Sequence, residues 1–493
     1  MDEKLKNTLA GMGCKALGGT FRAIGKYALR GKRVCTPERG SFDKTEAASK
    51  FFTVGFGKQS ILPSDTALKP YYIAGYGENN PAIGVLDAPY AHALWIDDCG
   101  GKGGILFVSV DCVGISNYDV NAIRRAIREN VKLPKCRSIN IMATHNHAGI
   151  DTLGAWGKLP KTGKDKAYLA FVTVSICHAV AAAVFERTEG VLYRGEIEVP
   201  DMQEDIRLPE VYSKTLTRLR FVPNNGSRET WFVNFASHSE YLQGCNSRVS
   251  ADFPGYFREK IREQTGAEVF YCVGAIGGMI SMLIENEDEI RAAGGDFYES
   301  TRSIGRRLAD YALSISEETV VEPRIGFMRQ RFFVDVDNLV LILAGLAKVI
   351  DSEEYSSKSA EKNLAIMTEL SYFELGDTKI LALPGELFPE LAYGGYLSEE
   401  ESAQGKSPDI NPTPLCDIIR DKKLLFLGLC NDEIGYILPP NDFMLNPVTP
   451  YIDRVFDRHG RKHYEEQNSL GVNTAPTIAR TFGEMVTEIR KVK

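Results

Sequence analysis

Ile139-Asn140-Ile141-Met142-Ala143-Thr144-His145-Asn146-His147 decides how this chain is read. Residues 139–143 alternate and are rich in β-formers, which predicts a strand, and the two imidazoles fall at or just past its carboxyl end. That end is where open α/β sheets keep their chemistry. The chain holds only seven histidines, so two of them one residue apart at a strand exit are not a product of composition. Neutral imidazole is the commonest protein ligand for zinc. An i, i+2 pair leaving a strand can aim one ring at a metal and the other at a substrate.

Working outward, Asn117 to Val131 carries Val120, Ile123, Ile127 and Val131 at helical spacing and leads into this strand. Before it, Ala91 to Asp97 and Ile105 to Asp111 flank a glycine-rich turn. No Gly-Lys-Ser/Thr follows those glycines, so they read as a hairpin rather than a phosphate loop. Downstream, Ala167 to Phe185 predicts a buried helix, with His178 as a satisfied core residue. Thr215 to Phe221 and Thr230 to Ala236 predict a hairpin through Pro223-Asn224-Asn225-Gly226, and Ser237-His238 again follows an apolar strand. Asp252 reads as the cap of a helix starting at Phe253. Glu268 to Val273 is a further strand, followed by the flexible exit Gly274-Ala275-Ile276-Gly277-Gly278. The hairpin Leu370 to Glu374 and Lys379 to Leu383 ends in Pro384-Gly385-Glu386, and Lys423 to Leu429 precedes Asn431 to Tyr436. The alternation of strands and helices from about Thr45 predicts an α/β fold of mixed sheet with flanking helices.

Composition narrows the function. Fifty-eight basic against 65 acidic side chains leave a net charge of −7, which argues against nucleic acid as a partner because phosphate backbones recruit an excess of Lys and Arg. Ten scattered cysteines without a CxxC point to a reducing compartment rather than a disulfide framework. No apolar run is read as approaching the roughly 20 residues that cross a bilayer, and no cleavable leader is evident. The expectation is therefore a soluble, cytoplasmic protein of open oligomeric state. Residues 1–44 form a separate basic segment. Leu5, Leu9, Met12, Leu17, Phe21, Ile24 and Ala28 recur at helical spacing among Lys4, Lys6, Lys15, Arg22, Lys26 and Arg30. Such a segment suits peripheral contact with anionic lipid, or packing on its own domain or a partner subunit.

Four potential ligands thus stand in equivalent places, each after a strand: His145, His238, Glu386 and Tyr436. If the strands share one sheet and one direction, their exits converge on one rim. Two imidazoles, a carboxylate and a phenolate satisfy zinc and leave room for water. Such an ion lowers the pKa of bound water to about 7 and polarises a scissile carbonyl.

Thr144-His145-Asn146-His147-Ala148-Gly149 resembles the THTHSG segment of the neutral (alkaline, non-lysosomal) ceramidases. Phe235-Ala236-Ser237-His238, Ser250 through Tyr256, Pro384-Gly385-Glu386 and Asn431 through Tyr436 match later motifs of that family in the same order. The resemblance spans roughly residues 50 to 490 and implies that residues 45–493 form a ceramidase-like catalytic domain, without the family's trailing immunoglobulin-like domain. It implies a single zinc held by His145, His238, Glu386 and Tyr436, with His147 beside the reacting carbonyl. Tyr464 falls near the scissile amide, and Gly274 and Ala275 face the substrate. The activity implied is hydrolysis of an N-acyl bond in a small or lipid-like molecule, with zinc-activated water as nucleophile. One segment departs from the pattern. The family carries a serine in a segment like SSNxGDVSPN, and its position falls near Ala275, with the following aspartate at Met279 and a later serine at Ser281. That departure motivates the alternative of a catalytically degenerate, zinc-binding regulatory homologue.

Overall fold

The computed structural model describes residues 36–492, apart from residues 67, 159 and 357–363. The basic N-terminal segment singled out above lies, through residue 35, outside the described residues. The main sheet contains β1 (Phe52–Ser60), β2 (Tyr90–Asp97), β3 (Gly104–Val110), β4 (Cys136–Ala143), β5 (Thr188–Glu198), β6 (Thr215–Pro223), β7 (Thr230–Phe235) and β8 (Glu268–Val273). Their order is β8-β7-β6-β5-β1-β2-β3-β4, with Glu318–Val321 added against β5. β3 and β4 are parallel, as are β7 and β8, and the pairs between them are antiparallel. The sheet is therefore mixed, as its alternating elements predict.

Side-chain alternation along β2 shows why these strands are apolar throughout. Ala91, Ala93 and Trp95 pack toward a helical layer, whereas Leu94 and Ile96 face a second sheet, so neither face meets water. The helical layer comprises α1 (Asn117–Asn130), α2 (Lys166–Phe185), α3 (Asp252–Thr265) and α4 (Tyr298–Ser314). The second sheet is built from β9 (Ile325–Asp335), β10 (Leu364–Leu375), β11 (Thr378–Ala382) and β12 (Leu425–Leu427), and β11 and β12 are parallel. Helix α5 (Thr474–Ile489) closes its outer face, where Phe482 meets Tyr372 with ring centroids 6.4 Å apart. The result is four layers, helix on sheet on sheet on helix.

The main sheet curls until its two ends meet. Ser109 Oγ on β3 donates to the carbonyl of Tyr271 on β8 at 2.7 Å, although these strands lie near opposite ends of the order. The chain leaving β12 is sewn into that closure: Gly428 N donates to Val273 O at 3.1 Å and Asn431 N to Ile141 O at 2.7 Å. Arg124 of α1 reaches past the β4 edge to Glu369 of β10, with Nη2 and Nη1 at 2.7 and 3.1 Å from its two carboxylate oxygens.

Three sequence expectations are corrected here. Residues 167–185 carry no charged side chain, and α2 is by length and composition long and apolar enough to cross a membrane; it packs on β1 and β2 with half of its apolar window buried. The helix is apolar on every side, so Val174 and Phe185 are exposed, and His178 lies on the exposed side instead of in the core. Asp252 is the first residue of α3 rather than its cap. Its carboxylate accepts from the amides of Tyr241, Leu242 and Phe253, which clamps the segment just after His238.

Candidate metal centre

The convergence expected of the four strand exits occurs across two sheets, not one. His145 and His238 leave β4 and β7 of the main sheet, whereas Glu386 and Tyr436 follow β11 and β12 of the second. A single flat sheet would leave β4 and β7 far apart; the curl closes that gap. The exits then run side by side. Asn146 bridges Ser239 in parallel, His147 N donates to Ser239 O at 2.9 Å, and Ser239 Oγ donates to Thr144 O at 2.7 Å. In this register His145 faces His238, with ring centroids 4.8 Å apart, and His147 falls opposite Glu240.

Each ring is held from behind. His145 Nδ1 lies 2.7 Å from Val113 O and His238 Nδ1 lies 2.8 Å from Ile280 O. Carbonyls accept only, so both Nδ1 atoms carry a proton and both Nε2 atoms face the centre. His145 sits in the left-handed region at φ 54°, a strained conformation that the surrounding bonds impose on a bulky residue. Asp111 buttresses this exit: it accepts from Arg258 Nη2 at 2.6 Å and from Tyr90 N at 2.9 Å, beside Thr144.

Glu386 is not a helix-capping carboxylate. It belongs to a two-residue strand, Glu386–Leu387, paired in parallel register with Tyr436–Ile437. Its Oε2 lies 3.0 Å from His238 Nε2 and 3.3 Å from His145 Nε2. Burial opposes ionisation of this carboxyl, but the two imidazoles prevail and hold it well below the usual carboxylate range. Burial would likewise keep His238 neutral, yet its bond to Glu386 and the charge of Glu240 push it up to about 9.

These separations fit a divalent ion. Zinc bonds of about 2.0–2.1 Å place neighbouring tetrahedral donors roughly 3.3 Å apart, and the donor set is two Nε2 atoms with fixed tautomers and a buried carboxylate. His147 Nε2 is 3.1 Å from His145 Nε2, and the ring nitrogens of His145, His147 and His238 lie within 4.8 Å of one another. Tyr436 is buried beside Glu386, but its hydroxyl donates to Met279 Sδ at 3.0 Å. Burial and the Glu386 charge raise that phenol far above its ordinary value.

His147 is sandwiched between Tyr76 and Glu240. Its Nδ1 is 3.4 Å from Glu240 Oε2 without a hydrogen bond; that oxygen accepts from Tyr76 Oη at 2.8 Å, while Ser281 Oγ donates to the other Glu240 oxygen. Burial first, then the charge of His145, lowers His147 to about 3. Gly75 makes room for this ring: a Cβ there would stand 2.4 Å from His147 Cγ. Tyr464 is half-buried within electrostatic reach of Glu386 and Glu240, and its phenol is raised by burial. Gly274 packs against Ala236, and Ala275 is 1 % exposed in the core behind the donors; neither lines the cavity described next.

A cavity of about 440 Å³ opens over the centre. His145, His147, Glu386 and Tyr436 line its polar end, and Leu153, Trp156, Leu341, Ile342, Ile366 and Leu470 line its apolar walls. Glu240 and Glu433 were not singled out in the sequence. Glu240 was legible, since it follows His238 at the same i+2 spacing by which His147 follows His145. Glu433 has no comparable signal.

Neither a protein-family model nor a curated protein matches the sequence. Solved structures do. A neutral ceramidase from Pseudomonas aeruginosa superposes with a TM-score of 0.67 at 16 % identity, covering 90 % of this chain and 75 % of that one. The fold is the ceramidase fold. A ceramidase complexed with C2 matches with a TM-score of 0.65 at 15 % identity, again over 90 % of this chain and 76 % of the other. The ceramidase-like mixed α/β architecture expected from the motifs is thus the architecture observed.

Proposed function

We propose that this chain is a metal-dependent hydrolase of N-acyl bonds, with zinc as its cofactor and an amide bearing an apolar acyl chain as its substrate. The observation that carries the reading is the approach of Glu386 Oε2 to His238 Nε2 at 3.0 Å and to His145 Nε2 at 3.3 Å, beside an apolar cavity of about 440 Å³. The ceramidase fold agrees with this chemistry.

His145, His238 and Glu386 would hold the ion, with Tyr436 beside them as the fourth side chain that could reach it. A divalent ion at this site supplies Lewis-acid activation of water and of the acyl carbonyl. The chain supplies proton transfer. Burial keeps His147 neutral, and with Nδ1 turned toward the anionic Glu240 its Nε2 faces the centre, placed to relay a proton. His147 Nε2 takes a proton from the attacking water and returns it to the leaving nitrogen, with Tyr464 assisting at the scissile amide. The apolar walls receive the acyl chain and exclude water around it.

The test is turnover of a panel of N-acyl amides by zinc-loaded protein and by its Glu386→Gln variant. Hydrolysis by the native protein that disappears in the variant supports the proposal; hydrolysis that persists in the variant overturns it. The contact between Tyr436 and Met279 favours a second reading, a metal-binding homologue without catalysis. Stoichiometric zinc with no turnover across the panel selects that reading.

A further inference from the structure

One helix belongs to the cavity wall and to the outer surface at once. Leu339–Leu346 supplies Leu341 and Ile342 to the cavity over the metal centre, while its Val340, Leu343 and Leu346 are 38, 41 and 37 % exposed. Residues 338–347 carry no charged side chain, so the helix is apolar toward solvent as well as toward the cavity. It is anchored in this position: Asn338 Oδ1 accepts from Val340 N at 3.0 Å, and Asn338 Nδ2 donates to Ser469 O at 2.8 Å. Exposed apolar side chains gathered on one helix mark a contact surface, unlike those scattered singly over any protein.

The rim beside the helix is amphipathic. A loop closed by Gly163 N on Gly154 O packs against the chain just past the helix, where a Cβ on Gly154 would stand 2.2 Å from Val349 O. Trp156 of this loop lines the cavity and is partly exposed, and Tyr118 is 45 % exposed at the mouth. Such side chains suit the boundary between headgroups and acyl chains. Lys158, Lys161 and Lys348 are exposed here without an ion pair among the described residues, and the exposed Glu78, Asp337 and Glu353 offset them. The rim is therefore close to neutral.

A surplus of positive charge joins the fold nearby. Asp43 and Lys44 pair antiparallel with Phe327 and Gly326 of β9, and Gly40 N donates to Gln330 Oε1 at 2.9 Å. Followed backwards from Lys44, the chain thus runs along β9 toward Asp335, and only residues 336–338 separate that end from the helix. Residues 1–35, which precede it, hold eight basic and two acidic side chains, although the chain as a whole is acidic. Basic residues next to an apolar face complement a surface that is anionic outside and apolar within.

We propose that the mouth of the cavity docks on an anionic lipid bilayer. Val340, Leu343 and Leu346 enter below the headgroups, Trp156 and Tyr118 sit at their level, and the basic side chains of residues 1–35 meet the charged surface. The cavity then opens into the bilayer, and an apolar chain passes from one to the other without entering water. The proposal concerns binding and is tested without turnover, so its outcome is independent of the hydrolase reading.

The experiment is co-sedimentation of the full chain with vesicles of phosphatidylcholine, alone or mixed with phosphatidylserine, together with quenching of tryptophan fluorescence by lipids brominated in the acyl chains. Of the three tryptophans, Trp95 and Trp231 are buried, so quenching reports on Trp156. The expected result is binding that is at least about tenfold tighter to the mixed vesicles, with quenching that disappears in Trp156→Phe. Leu343→Asp combined with Leu346→Asp should weaken binding at least about tenfold, whereas Phe185→Asp on the apolar side of α2 should leave it unchanged. Absence of binding to either vesicle overturns the proposal. So does binding without quenching, which would mean that the basic segment adheres while the mouth faces away. Unchanged binding in a folded double variant also overturns it, and so does a lipid-free dimer in sedimentation velocity that the double variant dissolves, which would assign the face to a second copy. Should the double variant fail to fold, quenching in the native protein decides the matter.

Discussion

Glu240 Oε2 lies 3.4 Å from His147 Nδ1, on the far side of the ring from the nitrogen that faces His145. This carboxylate and the metal donors therefore flank one imidazole on opposite edges. Partners behind a working imidazole fix its tautomer and orientation, and their loss typically costs 10–100-fold. Glu240→Gln should lower kcat by about that factor while zinc content stays near one per chain. Unchanged kcat in a correctly metallated variant would show that His147 needs no such partner.

Replacement of a donor should act on metal rather than on turnover alone. His145→Ala and His238→Ala should each reduce bound zinc to a small fraction of the native stoichiometry by elemental analysis. Tyr436→Phe should keep zinc with weakened affinity, because its hydroxyl is engaged by Met279 in this structure. Full zinc retention in either histidine variant would remove that ring from the donor set.

Metal uptake should depend on pH with a defined sign. In the ion-free protein His238 is raised to about 9, chiefly by its bond to Glu386, and Glu386 is depressed by His145 first and then by His238. The raised histidine contributes stability that is complete below its unfolded value of about 6.5 and lost as pH rises through about 9. The depressed carboxyl contributes stability present above its unfolded value of about 4.3 and lost as pH falls below it. Zinc must displace the His238 proton, so its apparent affinity should climb by about tenfold per pH unit toward pH 9. A chelator-competition titration from pH 6 to 9 reads this slope, and a flat profile contradicts it.

Gly75 tests how tightly the His147 ring is packed. Its φ of 108° is one that side-chain-bearing residues rarely adopt, and an added Cβ would strike the imidazole. Gly75→Ala should cost about 1–3 kcal/mol through backbone strain and reduce kcat by displacing His147, without loss of zinc. Native kcat in the alanine variant would mean that the ring has slack.

The Arg124–Glu369 pair should matter for stability far from the chemistry. Both side chains are buried, and the pair joins α1 to β10. Removing one partner leaves an uncompensated buried charge, so Glu369→Ala should lose about 3–5 kcal/mol in urea unfolding. A loss below 1 kcal/mol would show that water reaches Arg124.

Much of this was legible in the residues. The period-2 alternation ending on Ala143 and the apolar strand ending at Phe235 located both histidines at strand exits, and Pro384-Gly385-Glu386 located the carboxylate. The arrangement of those exits was not legible. Alternation reports which residues are buried, not which sheet a strand joins, so donors split between two sheets look the same in sequence as donors on one. His178 was misplaced for a related reason: an apolar helix normally hides its histidine, but α2 exposes apolar residues on its outer side as well. Glu433 was invisible because a buried carboxyl has no periodicity of its own.

The stitching of the β12 exit between β4 and β8 has a mechanical consequence. His145 and His238 ride on one layer and Glu386 on the other, so an ion gripped by all three spans the joint between the two sheets. Prying the slabs apart and emptying the centre become a single event, and stripping the ion should leave a molecule that is easier to shear, melt or digest at that joint than anywhere else in its interior.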